Sequence, residues 1–481
     1  MKHDSILESF QRLASRAPLA PLVLSPERRV TFEDVEALSR AAGSVLAPAV
    51  LPPGTLVCLL APNGPGFLAS FLALRRAGCA ALLLDAQTPP AECGRILTAL
   101  GAAALLRCRA AWPSGPADWT LERAVEPDEP IVPLDPAIAV VKLTSGSTGL
   151  PRGIATPAEA LIADDTALAA SMGLHEDERI LATIPMSHSY GLSSLVMPAL
   201  MRGSVLVVPA EGSVFDPFTT GERTGVTFYP TAPAYLDAML RVAEVTEAPP
   251  APASLRLVIT AGAPLGAETS RRFRERFGLA VHVFYGASEC GGICFDREGG
   301  AAERGTVGSP VEGVRVTLED GDGEEGVVTV RSPAVARGFL PAGEEPDPRL
   351  AGGRFRAGDL AVWKDGELAL RGRLDDLVNI KGKKVNPREV EAVIGQIPEV
   401  EEVAVIGLAL AGPAGEILRA VVACRPGSLT AADIHAWCRP RLSAHKVPRS
   451  VILVPALPRT ERGKLDRRAL LAIQPDGGTG A

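Results

Sequence analysis

The sequence predicts an α/β protein: a large domain with parallel sheets and a small β-subdomain, followed by a compact α+β domain. Three observations lead there. Short β-branched runs (AVVKLT, SVLVVPA, LRLVITAG, VHVFYG) alternate with amphipathic stretches such as PAYLDAMLRVAEV and AETSRRFRERFG, the pattern of parallel strands covered by helices. After about residue 305 the texture changes to short strands with Gly turns, GVRVTLEDGDGEEGVVTVRS and AVWKDGELALRGR, which read as antiparallel or barrel-like. Finally, 481 residues exceed the roughly 250 to 300 at which single cores stop growing, so the chain divides. The division is placed between 374 and 375, giving domains 1–374 and 375–481.

Beyond Arg373 the elements follow in order. VNIKGKKV reads as a strand. A helix follows, capped by Asn386 with Pro387 at its first position. Strands EEVAVIGL and ILRAVVACR, a helix from Ala431, strand SVILVPAL and a final helix complete the small domain. Upstream, VFYGASE reads as a strand ending at a tight Tyr285-Gly286 turn.

Composition points to a soluble intracellular protein. Eight cysteines, at 58, 79, 93, 108, 290, 294, 424 and 438, include no CxxC pair, so reduced and mostly buried thiols are expected rather than zinc or disulfides. MKHDSILESFQRLASRAP lacks the apolar core of a signal peptide, and no apolar run reaches the roughly 20 residues of a membrane span, which predicts a cytoplasmic protein. The net charge of −7 is uneven: from Arg373 onward 16 Lys and Arg face 12 Asp and Glu, leaving the tail at +4 and the rest at −11. A basic small domain suits an anionic partner such as the phosphates of CoA or an acidic carrier protein. Nucleic acid is not expected, because only 4% of residues are aromatic and none interleave with the basic ones.

Residues 142 to 153, KLTSGSTGLPRG, carry the chemistry. Glycines let a backbone approach phosphates and aim its N–H groups at them, Thr144, Ser145, Ser147 and Thr148 add neutral donors, and Arg152 adds a fixed charge. This is not a Walker A loop, since Pro151 and Arg152 stand where Gly-Lys-Ser/Thr would open a helix. The loop marks the chain as an ATP user.

Thr144 to Gly153 resembles the phosphate loop of the adenylate-forming superfamily, which includes acyl- and aryl-CoA synthetases, peptide-synthetase adenylation domains and luciferases. Five further stretches resemble that family's motifs in its order: LRLVITAGAPL (255–265), VFYGASE (283–289), FRAGDL (355–360), LRGRLDDLVNIKGKKVNPREVE (370–391) and LPRTERGKLDRRAL (457–470). Weaker likeness covers LLAPNGPGFLASFLALRRAGCAALLLDAQTPPAE. The resemblance implies a multi-layered large domain and a mobile small one. It implies ATP, Mg²⁺ and CoA, and an activity in which a carboxylic acid becomes an acyl-adenylate and then a thioester.

Residue roles follow from the same resemblance. Thr144, Ser145, Gly146, Ser147, Thr148, Gly149 and Arg152 would hold the phosphates. Tyr285 would stack on adenine, with Gly286 and Ser288 beside it and Gly262, Ala263 and Pro264 as the second wall. Asp359 would accept both ribose hydroxyls, and Arg373 would reach the ribose and phosphate. Glu289 and Thr148 would serve the metal. Lys464 would stabilise charge as the carboxylate attacks the α-phosphorus. In IPMSHSYGL, His188 would position the acid and make way for the thiol, with Ser189, Gly286, Ala287 and Gly291 lining the acyl pocket. Asp375 matches the hinge, and Lys381 and Gly382 the thiol-side face. Three positions depart from the family's usual residues: Arg152 replaces Lys, Arg462 replaces Ser and Ala357 replaces Thr.

PMSHSYG and TFYPTAPAYL offer no Asp for an α-ammonium group, which argues against an amino acid substrate. Aryl and fatty acids both stay open, as do CoA and a carrier protein as acceptor. A luciferase-like oxygenase shares the fold, though nothing in the sequence marks it. A relative that binds nucleotide without catalysis would lack Lys464, Glu289 or Asp359, and all three are present.

Overall fold

The computed structural model describes residues 5–124, 131–144, 152–210, 212–321, 323–341, 347–374, 378–380, 383–409, 416–460 and 465–473. Contacts divide the chain into two units. One comprises Met1–Thr317, Thr329–Ala357 and Trp363–Ala369; the other comprises Leu318–Val328, Gly358–Val362 and Leu370–Ala481.

Two large sheets form the first unit. The nine-stranded sheet runs Ser309–Pro310, Gly291–Phe295, Val281–Ala287, Leu257–Thr260, Phe228–Thr231, Arg179–Leu181, Val205–Val207, Pro21–Leu24, Arg29–Thr31. From Pro21–Leu24 to Val281–Ala287 neighbouring strands are parallel, and the outer pairings are antiparallel. The seven-stranded sheet runs Gly338–Leu340, Arg152–Pro157, Ile138–Thr144, Ala80–Leu84, Leu56–Leu60, Ala104–Cys108, Trp119–Arg123. Its inner strands, Ile138–Thr144 through Ala104–Cys108, are parallel.

Alternation along the strands produces the layers, because successive side chains point to opposite faces. Val57 and Leu59 join Ala81, Leu83 and Leu106 in a core shared with Ile180, Leu206, Phe228 and Ile259 of the other sheet. Helix Pro65–Arg76 supplies Phe67 and Phe71 to that core and is buried at every position through Arg75, so its sequence reads apolar on all sides. Leu56, Cys58 and Leu60 face the other way, onto Ile96, Leu97 and Leu100 of helix Pro90–Leu100. On the far face of the nine-stranded sheet, Leu181, Tyr229 and Val258 pack with Phe218, Leu236, Phe273 and Phe277. Strands covered on both faces are continuously hydrophobic, as LVCLL and AALLL are.

A five-stranded sheet follows: Arg315–Glu319, Glu325–Arg331, Arg354–Lys364, Leu350–Ala351, with Glu367–Arg373 also on Arg354–Lys364. In the second unit, Asn386 caps helix Pro387–Ile394 by accepting the Arg388 N–H at 3.0 Å, and Pro387 occupies the first turn. Strand Glu416–Cys424 is central, antiparallel to Val400–Ala409 and parallel to Ser450–Val454. Helix Ala431–Cys438 starts with a Thr430/Asp433 capping box.

Two expectations are corrected. VNIKGKKV is not one strand: Val378–Ile380 and Lys383–Val385 pair antiparallel, with Ile380 opposite Lys383. Strand Val281–Ala287 does not end at Tyr285-Gly286 but continues to Ala287, its register against Gly291–Phe295 shifting between those two residues. Pairing with the return strand carries it past the glycine, and a bulge absorbs the irregularity.

All eight cysteines are free and buried. Among the described residues, no helix is long and apolar enough to cross a membrane.

Candidate adenylation site

In open parallel sheets, ligands bind outside the carboxyl ends of the strands. The predicted adenine-side residues lie there. Strands Leu257–Thr260 and Val281–Ala287 are neighbours with Thr260 opposite Val283, so the exposed turn through Gly262, Ala263 and Pro264 issues beside Tyr285. Gly262 has φ +83, a left-handed conformation that glycine adopts without strain.

The strand then hands over to a tight turn. Ala287 stands opposite Gly291, and the Cys290 N–H donates to the Ala287 carbonyl at 3.2 Å. Ser189 donates its hydroxyl to Ser288 Oγ at 2.7 Å, joining two predicted pocket segments that are 99 residues apart.

The His188 segment is shaped by Asn63, which sequence reasoning passed over. Its amide donates to the carbonyls of Ala182 (3.1 Å) and Ile184 (2.8 Å), and its Oδ1 accepts the Met186 N–H (2.8 Å). His188 directly precedes a helical stretch from Ser189 to Arg202 that passes through a π-turn at Leu192–Val196, a feature frequent at functional sites. Only glycine fits at 191, since a Cβ there would lie 1.9 Å from the Pro185 carbonyl oxygen. His188 Nε2 sits 3.7 Å from Asp85 Oδ2, and Asp85 directly follows strand Ala80–Leu84.

Behind this wall lies a buried polar cluster, also missed. Asp164 accepts the Ser193 hydroxyl at 2.6 Å and the Gly292 N–H at 2.8 Å, tying helix Ala158–Met172 to the π-turn and to the return strand. Lys142, on the strand that leads into the phosphate loop, is buried within its electrostatic reach. Burial lowers the Lys142 pKa, opposed by the carboxylates of Asp164 and Glu289. Burial raises that of Asp164, opposed by Ser193, Gly292 and Lys142. The available clue was a charge inside an apolar run, in AVVKL and in ALIADDTAL.

At the phosphate loop, Thr144 is the last residue of its strand and pairs with Arg152, the first of the next. Arg152 does not stand alone: both terminal nitrogens donate to Asp347 Oδ2 at 3.2 Å, and the guanidinium lies 4.1 Å from the Phe339 ring centroid.

Asp359 and Arg373 belong to the second unit. Asp359 lies inside strand Arg354–Lys364 rather than in a turn, and Arg373 ends strand Glu367–Arg373. Arg373 Nε is 3.5 Å from Asp359 Oδ1, so the two residues predicted to meet the ribose are brought together. Ser145, Gly146, Ser147, Thr148, Gly149, Asp375, Lys381, Gly382 and Lys464 lie outside the described residues, as does the side chain of Thr144. Glu289 is half-buried, its carbonyl accepting the Ala336 N–H at 2.8 Å. Among the described residues, no group of three His, Cys, Asp or Glu could hold a metal.

Residues 10–340 match the profile of the AMP-binding enzyme family, and 389–464 match the AMP-binding enzyme C-terminal domain. The chain belongs to the AMP-binding enzyme family. It is 30% identical to a feruloyl-CoA synthase of Amycolatopsis, covering 94% of this chain and 96% of the relative. It is 28% identical to the long-chain-fatty-acid–CoA ligase FadD13 of Mycobacterium tuberculosis, over 95% and 97% of the two chains. Its structure is similar to that of a M. tuberculosis fatty acyl CoA synthetase, with a TM-score of 0.73, 26% identity and 97% of each chain covered. The protein is an AMP-forming acid–thiol ligase: it activates a carboxylic acid with ATP to the acyl-adenylate and transfers the acyl group to the thiol of CoA.

Proposed function

We propose that the acid is an aryl or fatty acid without an α-ammonium group, held between the His188 segment and the Tyr285–Gly291 hairpin. The observation that carries this reading is the Ser189–Ser288 hydrogen bond, which brings the two segments side by side. Among the residues through 192 of the His188 segment and those of Phe228–Tyr235, no carboxylate is available for an α-ammonium group. Both substrate classes occur among the relatives named above.

ATP's adenine is assigned to Tyr285 and the Gly262–Pro264 turn and its phosphates to the loop from Thr144 to Gly149; in the second unit, Asp359 and Arg373 are the residues assigned to its ribose. Mg²⁺ typically binds through one or two carboxylates plus substrate phosphates, keeping water in its other positions. Glu289, with Thr148, suits that role without an all-protein cage, and the ion supplies neutralisation of phosphate charge. Lys464 stabilises the charge that develops as the acid's carboxylate attacks the α-phosphorus. After adenylation, Asp375 acts as the hinge of the small domain, and Lys381 and Gly382 line the path of the thiol.

The acceptor is CoA; the second reading is a carrier-protein phosphopantetheine, and the basic tail suits either. Pyrophosphate exchange against a panel of aryl, fatty and amino acids tests the acid, and thioester formation with CoA and with holo carrier protein tests the acceptor. Exchange with amino acids alone would overturn the acid assignment. Transfer to the carrier protein but not to CoA would overturn the acceptor.

A further inference from the structure

Arg152 stands where the chain re-enters the seven-stranded sheet after the phosphate loop. Along the outer side of its strand lies Gly338–Leu340, antiparallel, with Phe339 opposite Ile154. Asp347 comes back to the same corner, where Arg152 donates to it from both terminal nitrogens. Arg349 grips the same carboxylate, Nε to Oδ1 at 3.0 Å and Nη2 to Oδ2 at 2.8 Å. Both guanidinium groups lie over one ring, Arg152 at 4.1 Å and Arg349 at 5.4 Å from the Phe339 centroid.

Two arginines therefore share one carboxylate on one aromatic platform. Guanidinium recognises carboxylate and phosphate with the same planar fork, so Asp347 fills the place that phosphate oxygens would take. Stacking on Phe339 restrains both forks, which reduces the entropy lost when they bind an anion. The arginine side chains are 38% and 50% exposed, whereas that of Asp347 is 17% exposed, so an incoming anion meets the cations first. The arginines, Arg349 foremost, hold the Asp347 carboxyl well below the usual carboxylate range, keeping it an anion at neutral pH. Arg349 belongs to none of the six sequence motifs.

We propose that Arg152 and Arg349 form a paired clamp for the terminal phosphates of ATP and for pyrophosphate, which Asp347 occupies when nucleotide is absent. The proposal rests on the reading of the adjoining loop as the phosphate loop. It makes Arg349 a second phosphate-binding arginine and Asp347 an internal competitor. A plain structural ion pair loses function in the same direction when either partner is removed; a clamp with a competitor does not.

The test measures steady-state pyrophosphate exchange and ATP-dependent adenylation in the full-length protein. Arg349→Met is expected to raise the apparent KM for ATP and for pyrophosphate about tenfold, the loss of a charge-assisted contact, with the KM for the acid unchanged. Arg349→Lys, which keeps the charge and loses the fork, falls between Met and wild type and serves if the Met variant does not fold. Asp347→Asn retains an acceptor for the Arg349 N–H, held at 3.0 Å in the parent, but removes the charge. It is expected to lower both KM values severalfold. Values that rise in both Arg349 and Asp347 variants, or do not change, overturn the clamp, whether or not melting temperatures fall. If the wild-type protein shows no ATP-dependent exchange, the reading of the nucleotide loop fails; if it does and the KM values do not diverge, only the clamp fails.

Discussion

At the scale of single residues, the site depends on charges placed where water cannot reach them. Lys142 and Asp164 are both about 5% exposed, and Asp164 holds the Ser193 hydroxyl and the Gly292 N–H, so truncating it leaves two buried donors without an acceptor. Asp164→Ala should destabilise the fold by about 2 to 4 kcal/mol, whereas Asp164→Asn, which keeps an acceptor oxygen, should lose less; urea unfolding of the two proteins checks it. The neighbouring Asp165, paired with Arg202, has its carboxyl pushed up to about 6 by burial, against the pull of Arg202. Its folded pKa exceeds its unfolded value, so the native state binds this proton more tightly and loses stability as pH rises from about 4 to 6. Relative to wild type, Asp165→Asn should therefore gain about 2 to 3 kcal/mol between pH 4 and pH 7. A pH-independent difference in denaturant midpoints would refute it. Asp359→Ala should weaken ATP by about 1.5 to 3 kcal/mol, seen as a raised KM for ATP with little change for the acid. Tyr285, Asp359 and Glu289 were legible as motif residues. Lys142, Asp164 and Asn63 were not, because each acts on partners distant in sequence.

At the scale of elements, the local rules carried far. The Asn386–Pro387 helix start, the helices Pro233–Val245 and Ala267–Phe277, and the buried strands all follow from caps and periodicity that neighbouring residues supply. The hairpin after Tyr285 did not, since a bulge answers to the partner strand. Its return residue Gly291 has φ +71, and a Cβ there would lie 2.2 Å from Asp164 Oδ1. Gly291→Ala should thus strain the backbone and displace Asp164 from the Gly292 N–H, costing upwards of about 3 kcal/mol. Thermal unfolding reads the cost, and a melting temperature unchanged from wild type would show that the hairpin gives way at no expense. Similarly, VNIKGKKV has the composition of one strand, but its halves find each other in space.

At the scale of the whole molecule, the two half-reactions can be separated by variants in the small domain. Lys464→Ala should abolish pyrophosphate exchange while a supplied acyl-adenylate is still converted to thioester; Asp375→Pro, which fixes φ near −65°, should do the reverse. Both activities measured beside a melting curve decide it, since parallel losses with a lowered melting temperature would mean damage to folding alone. The sequence by itself determined the α/β class, the change of texture after residue 305, and the ordered motifs of an adenylate-forming ligase. These are properties of contiguous residues: period, capping, glycine freedom and the residue types that phosphate chemistry requires. Tertiary structure alone decided that Ser189 meets Ser288, that Asp164 holds Gly292, that Arg373 reaches Asp359, and that Arg152 shares Asp347 with Arg349. Asp164 and Gly292 are 128 residues apart, and Arg152 and Asp347 are 195 apart. The meeting of such pairs depends on the register of strands and the packing of layers, where a shift of one residue turns every side chain to the opposite face.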